Sequence, residues 1–287
     1  MSRLVPIAWL GIIPFIGGCA LLGAYPYADR SNPTQVINPS EVQRPVEPSV
    51  PPLDDVCQVI SVRRLTRALW RQVETSGSAA LIDGRYLITA AHNVADYPAG
   101  NRMSQIRVSC NARDVTSETV DVTLDRRAIE SRVSIPRYAW RAHHRDRKYE
   151  FDYAFIDLQE SLASANRFSL DPDVVPRVGE TLFIGGYPGG VISNQRTLHA
   201  GSGKVVGIDG NLITYDIETA NGNSGGPLWV VRDGRMYVVA VHVNYSTGRL
   251  LNAGFHEEWA RWRTPRGTNP RGTNPPGFVS SANQKSS

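Results

Sequence analysis

Three Asp-Gly pairs, Asp83-Gly84, Asp209-Gly210 and Asp233-Gly234, stand between short apolar runs, and they restrict the fold more than any other feature. Such a pair supplies the positive-φ residues that a tight hairpin needs. The flanking runs are short, apolar or alternating: Ser78 to Ile82, Tyr86 to Thr89, Lys204 to Ile208, Leu212 to Tyr215 and Tyr237 to Val241. Tyr153 to Leu158 and Thr181 to Ile184 have the same character. Many short strands at regular spacing predict an all-β barrel or sandwich. Only Glu257 to Arg263, with Trp259 and Trp262, has helical spacing, and it predicts a short helix at the end of the domain.

The first residues read as an export signal. Arg3 is followed by an apolar run, Leu4 to Gly18, that Pro6 and Pro14 interrupt. The run is shorter than the roughly 20 residues of a membrane-spanning helix. It suits a secretory signal, which needs about 7–15 apolar residues before small ones. Ile16-Gly17-Gly18-Cys19 resembles the bacterial lipobox, where a peptidase cuts before a lipid-modified cysteine. Residues 1–18 are thus expected to be a signal peptide and Cys19 a lipidation site. The protein would be exported and held by its lipid at the periplasmic face or outer membrane of a Gram-negative bacterium, the alternative being an ordinary signal peptide with an incidental cysteine and a secreted protein. Residues 19–55, rich in proline, serine and asparagine, predict a disordered tether. The repeat Pro265 to Asn269 and Pro270 to Asn274 opens a low-complexity tail, 264–287. Export places Cys57 and Cys110 in an oxidising compartment, so a disulfide is expected, the alternative being two buried thiols.

Composition narrows the partners. The net charge of the 287 residues is +4, and the clusters Arg63, Arg64, Arg67, Arg71 and Arg141 to Lys148 read as solvated surface, not as a nucleic-acid footprint. His143-His144 lies in the second cluster and reads as solvated. No metal cluster, phosphate loop or cofactor motif is recognisable, so neither cofactor nor metal is expected, and a monomer is.

Three patterns carry chemistry. Leu87-Ile88-Thr89-Ala90-Ala91-His92 is an apolar strand running through small residues into a histidine, a residue suited to act as general base near neutral pH. Asp152 opens the run Tyr153 to Leu158, where its carboxylate could take the Nδ1 proton of that histidine. Asp157 is the rival carboxylate, but its side chain should leave the opposite face of the strand and be solvated. Gly222-Asn223-Ser224-Gly225-Gly226-Pro227 places a serine in a tight glycine turn. The N–H groups of Gly222 and Ser224 there would form an oxyanion hole, each donor contributing about 2.7–4 kcal/mol in the transition state. The order His92, Asp152, Ser224 is one of the three chain orders known for this triad geometry.

On Thr89-Ala90-Ala91-His92, Asp152 to Ile156, Gly186-Tyr187-Pro188-Gly189, Tyr215-Asp216 and Gly222 to Pro227, residues 78–263 resemble trypsin-like serine proteases, and within them the bacterial glutamyl endopeptidases. The resemblance implies two antiparallel six-stranded β-barrels of chymotrypsin type, about 56–165 and 175–255, in a protease domain spanning 56–263. It implies a serine endopeptidase acting on proteins or peptides. Asn223 stands where animal trypsins carry an aspartate that pairs with a new N-terminus, so that ion-pair switch is not expected. Thr219 and His242 match the residues with which glutamyl endopeptidases bind the substrate carboxylate, the histidine adding charge when protonated. Val243-Asn244-Tyr245 departs from the small residues common after that histidine. The reading from a different class is a catalytically silent protease-fold lipoprotein that binds or scaffolds. An esterase of the α/β-hydrolase kind would need its serine elbow between strand and helix in an α/β alternation, which the sequence lacks.

Overall fold

The structure, a computed structural model, describes residues 43–45, 53–64, 72–96, 101–110, 120–136, 138–139, 148–162, 168–188 and 197–264. These belong to one unit, residues 37–287. The expected signal, Cys19, the His143-His144 loop, Gly189 and nearly all of the tail lie outside the described residues.

Strand β1 is Arg44–Pro45. Next come β2 (Val56–Arg64), β3 (Gln72–Ile82), β4 (Tyr86–Thr89), β5 (Ala95–Asp96), β6 (Asn101–Arg102), β7 (Gln105–Cys110) and β8 (Val120–Asp125). Helix α1 (Arg126–Arg132) leads to β9 (Val133–Ser134) and β10 (Ala154–Asp157). The second half holds β11 (Phe168–Ser169), β12 (Thr181–Gly186), β13 (His199–Asp209), β14 (Leu212–Tyr215), β15 (Pro227–Arg232), β16 (Arg235–Asn244), β17 (Thr247–Leu250) and helix α2 (Ala253–Arg263).

The fold is mostly β and of chymotrypsin type, as expected. In the second half, β13-β12-β15-β16-β17-β14 form a path that closes because β14 also pairs with β13, giving a six-stranded barrel. In the first half the path β8-β7-β2-β3-β4-β10-β9 has seven strands and stays open, a half-barrel. All three Asp-Gly pairs join neighbouring antiparallel strands: β3 to β4, β13 to β14 and β15 to β16.

Two buried clusters fill these sheets. Leu182, Ile184, Ile213, Leu228, Val230 and Leu250 belong to the cluster of the closed barrel. Ile82, Ile88, Phe155, Trp229, Phe255 and Trp259 belong to the second, which joins both sheets and α2. Helix α2 begins four residues before the predicted Glu257, because the Asn252 side chain accepts the Phe255 N–H at 3.3 Å and caps it there. Its Trp262 ring stacks on Phe155 at 5.2 Å and Trp259 meets Tyr86 edge-on at 5.5 Å, contacts of roughly 0.5–1.5 kcal/mol each beyond burial. The helix at the end of the chain thus locks onto β4 and β10, the strands that flank the histidine and aspartate of interest. Helix α1 was not anticipated; Asp125 caps it by accepting the Ala128 N–H at 2.8 Å.

The expected tether is not free along its whole length. Arg44 and Pro45 pair antiparallel with Ala200 and His199 of β13. Leu53 to Asp55 forms a 3-10 turn with Leu53 and Asp55 buried. The start of β13, before its pairing with β14 begins at Val205, leaves one side of its backbone open, and that side pairs with a segment whose side chains are too polar to drive folding.

Cys57 and Cys110 form the expected disulfide. They sit directly opposite each other on β2 and β7, with Cα atoms 4.3 Å apart. The bond closes a separation of 53 residues, for which chain entropy predicts about 3–4 kcal/mol of stabilisation. The double substitution Cys57→Ala, Cys110→Ala should lower the unfolding free energy by about that amount in denaturant titrations. An unchanged midpoint would show that the strand pairing alone sets the stability here.

Candidate active site

Strand β4 ends at Thr89, and a 3-10 turn, Ala91–Asn93, swings His92 out of the sheet. Its side chain is 20 % exposed, whereas that of Asp152 is 3 % exposed. Asp152 precedes β10, which pairs with β4 so that Ala154 faces Thr89. Both carboxylate oxygens of Asp152 are spent on His92. Oδ1 accepts its backbone N–H at 3.0 Å and Oδ2 lies 2.6 Å from Nδ1. A carboxylate accepts only, so Nδ1 carries a hydrogen and Nε2 of a neutral ring is left as the base.

Asp157, expected to be solvated, is instead held by Arg85 through a bidentate pair at 2.7 and 2.8 Å. Arg85 leaves the turn before β4, whose Tyr86 is in register with Asp157. The Arg85 guanidinium holds the Asp157 carboxyl below the usual carboxylate range, against the opposing effect of burial. The two aspartates of this strand are thereby separated, one on His92 and one on Arg85.

The serine turn is fixed by the opposite sheet. The Ser224 carbonyl accepts from Ser78 N at 2.7 Å and from Asn93 Nδ2 at 2.7 Å. Asn93 follows His92 directly, so the serine is tied to the histidine's own turn. Ser78 Oγ accepts the Tyr187 N–H at 2.9 Å and donates to the Gly222 carbonyl at 2.8 Å. Gly222 has φ of 102°, and an added Cβ would lie 2.3 Å from the Tyr187 carbonyl oxygen. Only glycine fits there. The Asn223 N–H donates to the Ala220 carbonyl at 3.1 Å, and the Asn223 carbonyl accepts from Gly226 N at 2.8 Å. Since N–H and C=O of one trans peptide point oppositely, that last bond also aims the Ser224 N–H. No backbone carbonyl among the described residues accepts from Gly222 N or Ser224 N.

His242 lies on β16, 2 % exposed, with its carbonyl accepting the Gly225 N–H at 2.8 Å. Its Nδ1 is hydrogen-bonded to the Tyr215 hydroxyl. Burial, with a smaller contribution from nearby His92, pushes the His242 pKa down to about 3. Burial also raises that of Tyr215 far above the ordinary phenol range. Both groups are therefore neutral at pH 7. Nδ1 is the acceptor for the buried hydroxyl among the described residues, so the ring hydrogen sits on Nε2. Without a substrate carboxylate beside it, the enclosed ring is thus neutral, and with the hydroxyl donating to Nδ1 it offers an Nε2–H donor. The Thr219 hydroxyl donates to the Tyr245 carbonyl.

Sequence reasoning missed Ser78, Asn93, Tyr187 and Tyr215 as supports of this site. Tyr187 and Tyr215 belong to motifs already singled out, Gly-Tyr-Pro-Gly and Tyr-Asp, whose reach to Gly222 and His242 only the folded chain reveals.

Comparison with known proteins bears on the family and the fold. The trypsin-like peptidase domain family matches residues 77–241, more than half of the chain. Glutamyl endopeptidase of Staphylococcus epidermidis is 36% identical over 66 residues, which is 23% of this chain and 22% of that protein; the sequences from two strains match identically. The match thus spans only about a fifth of the relatives' length. A solved structure of Glu endopeptidase in complex with MPD superposes with a TM-score of 0.55 at 19% identity, covering 79% of this chain and all of that one, and it supports the fold. From the family match and the fold together, the chain belongs to the trypsin-like peptidase domain family, whose members are proteases.

Proposed function

We propose that this protein is an exported serine endopeptidase with His92, Asp152 and Ser224 as its catalytic triad and the N–H groups of Gly222 and Ser224 as its oxyanion hole. The observation that carries the reading is the double grip of Asp152 on His92, on the ring and on the backbone at once, beside a serine turn bonded to Asn93. The ring then has one orientation and one tautomer. His92 Nε2 takes the Ser224 hydroxyl proton as Oγ attacks the substrate carbonyl, and the imidazolium is stabilised by Asp152. The tetrahedral oxyanion receives the Gly222 and Ser224 amides. His92 then protonates the leaving amine, an acyl-enzyme remains, and water deacylates it by the reverse proton path.

The finer parts of the reading concern specificity and placement. The substrate side chain would lie between His242 and Thr219, and cleavage would follow acidic residues. In that pocket the neutral Nε2–H of His242 and, after turning from Tyr245, the Thr219 hydroxyl would meet the carboxylate. A site built from buried donors penalises side chains that leave them unpaired. A lipid on Cys19 would fix the exported domain to a membrane surface. The domain would span residues 56–263, preceded by signal and tether and followed by the tail.

Ser224→Ala should lower kcat on peptide substrates by about a millionfold, His92→Ala should be as severe, and the double variant no worse. Substantial cleavage by purified Ser224→Ala would remove the serine mechanism. Asp157→Asn should leave kcat within a few-fold, since its loss is a partly exposed ion pair of about 0–1 kcal/mol. A fluorophosphonate probe that fails to label the wild type would favour the silent binding protein.

If the pocket donor is a neutral imidazole, the preference for glutamate over glutamine at the cleaved position should stay level from pH 6 to 8. A requirement for protonated His242 would instead make it fade as pH rises through that range. His242→Ala should cut the preference about ten- to a hundredfold, the equivalent of the roughly 1.5–3 kcal/mol of a hydrogen bond to a charged group. Cleavage after alanine, valine or arginine in a peptide library would reject the acidic pocket and leave the protease standing.

Metabolic labelling with a fatty-acid analogue should mark the wild type and miss Cys19→Ser. Equal labelling of both would discard the lipid anchor.

A further inference from the structure

The segment before the protease domain reaches the back of the candidate nucleophile turn. Asn223 is fully buried between Gly222 and Ser224, the two residues whose amides face the reacting carbonyl in the reading above. Its backbone is tied at both ends, to Ala220 and to Gly226. Its side chain is tied nowhere in its own barrel: Asn223 Nδ2 donates to Gln43 Oε1 at 2.7 Å, across 180 residues of sequence. Gln43 is placed by β1, whose Arg44 and Pro45 pair with Ala200 and His199 at the edge of β13. The next residue on β13 is Gly201, where an added Cβ would lie 3.0 Å from Gln43 Cγ and 3.4 Å from its Cα. The missing side chain there is what admits the glutamine.

This amide pair is poorly explained as a stability device. Asn223 Oδ1 and Gln43 Nε2 are both buried without a hydrogen-bond partner among the described residues. A well-packed apolar pair would avoid that cost. A polar pair at the residue between two oxyanion donors has another use: rotation of Asn223 would turn the peptide planes on either side of it. One face of Asn223 is therefore held by the barrel and the other by a residue outside the protease domain's own strands.

We propose that Gln43 is a positioning residue for catalysis, which holds Asn223 and through it the Gly222 and Ser224 amides, so that the uncut upstream segment completes the oxyanion site in cis. Activation then needs no new N-terminus within the domain, and a cut between residue 43 and the domain switches the enzyme off. The inference rests on the reading of Ser224 as nucleophile.

The test uses the exported full-length protein and two substitutions, Gln43→Met, which keeps the volume and removes the acceptor, and Gln43→Glu, which keeps an acceptor at the same place. Peptide kcat and KM, and the labelling rate with a fluorophosphonate, are measured per folded molecule by circular dichroism. Gln43→Met should lower kcat and the labelling rate at least tenfold with KM within threefold of wild type. Gln43→Glu should recover kcat to within about threefold of wild type. Wild-type kcat in Gln43→Met, equal loss in both variants, or a change in KM alone overturns the proposal. So does N-terminal sequencing that finds the active enzyme beginning beyond residue 45. Failure of the wild type itself to react with the fluorophosphonate would refute the nucleophile assignment, an outcome distinct from all of these.

Discussion

The carbonyl oxygen of Ser224 is the point on which the two halves of this molecule meet. It belongs to the turn before β15, in the closed barrel, yet both of its hydrogen bonds come from the open sheet, from the Ser78 amide and the Asn93 side chain. Asn93 is held in turn by Thr89 at 3.0 Å, and Thr89 donates to the Ser78 carbonyl at 2.6 Å. The bonds form a closed circuit in which the Asn93 and Thr89 side chains join the Ser224 carbonyl to the Ser78 backbone. Such a circuit tolerates little movement, because any one displacement strands several polar groups at once. The geometry of histidine, aspartate and serine is thus fixed by groups that take no part in proton transfer.

Burial decides charge in this site more than neighbouring ions do. His242 loses its proton because it is enclosed, and Tyr215 keeps its own for the same reason. Asp157 shows the contrast: there a guanidinium outweighs partial burial. The ends of one short segment, Asp152 just before β10 and Asp157 closing it, therefore carry one carboxylate committed to a histidine and one committed to an arginine, and neither is available to the other's task.

Much of the fold was legible because its signals are local. Asp-Gly pairs and alternating runs set hairpins within a few residues, and the predicted runs lie inside β3, β4, β12, β13, β14 and β16 and enclose β10. The three residues proposed as the triad were legible as candidates because each sits in a dense local pattern. The opposite held where an outcome depends on distant chain. Asp157 looked solvated because strand alternation gives a direction and not a partner; Arg85 supplied the partner from the adjoining strand's turn. Residue type alone says nothing of the enclosure of His242, nor of the Tyr245 carbonyl that takes the Thr219 hydroxyl. The proline-rich segment looked wholly unstructured because its composition is polar, while the β13 edge that receives Arg44 and Pro45 lies far along the chain.

The long reach of β1 bears on how the molecule is made. A chain that emerges from its N-terminus presents residues 43–45 first, yet their docking strand and Asn223 arrive only after most of the open sheet. Contacts of such sequence separation form late, after the loop-closure cost of the intervening chain has been met. No leading fragment of this polypeptide, however well its first sheet folds, contains the assembled cleft. Whatever chemistry that cleft carries is thereby deferred to the last stage of folding, and the deferral is written into strand order alone.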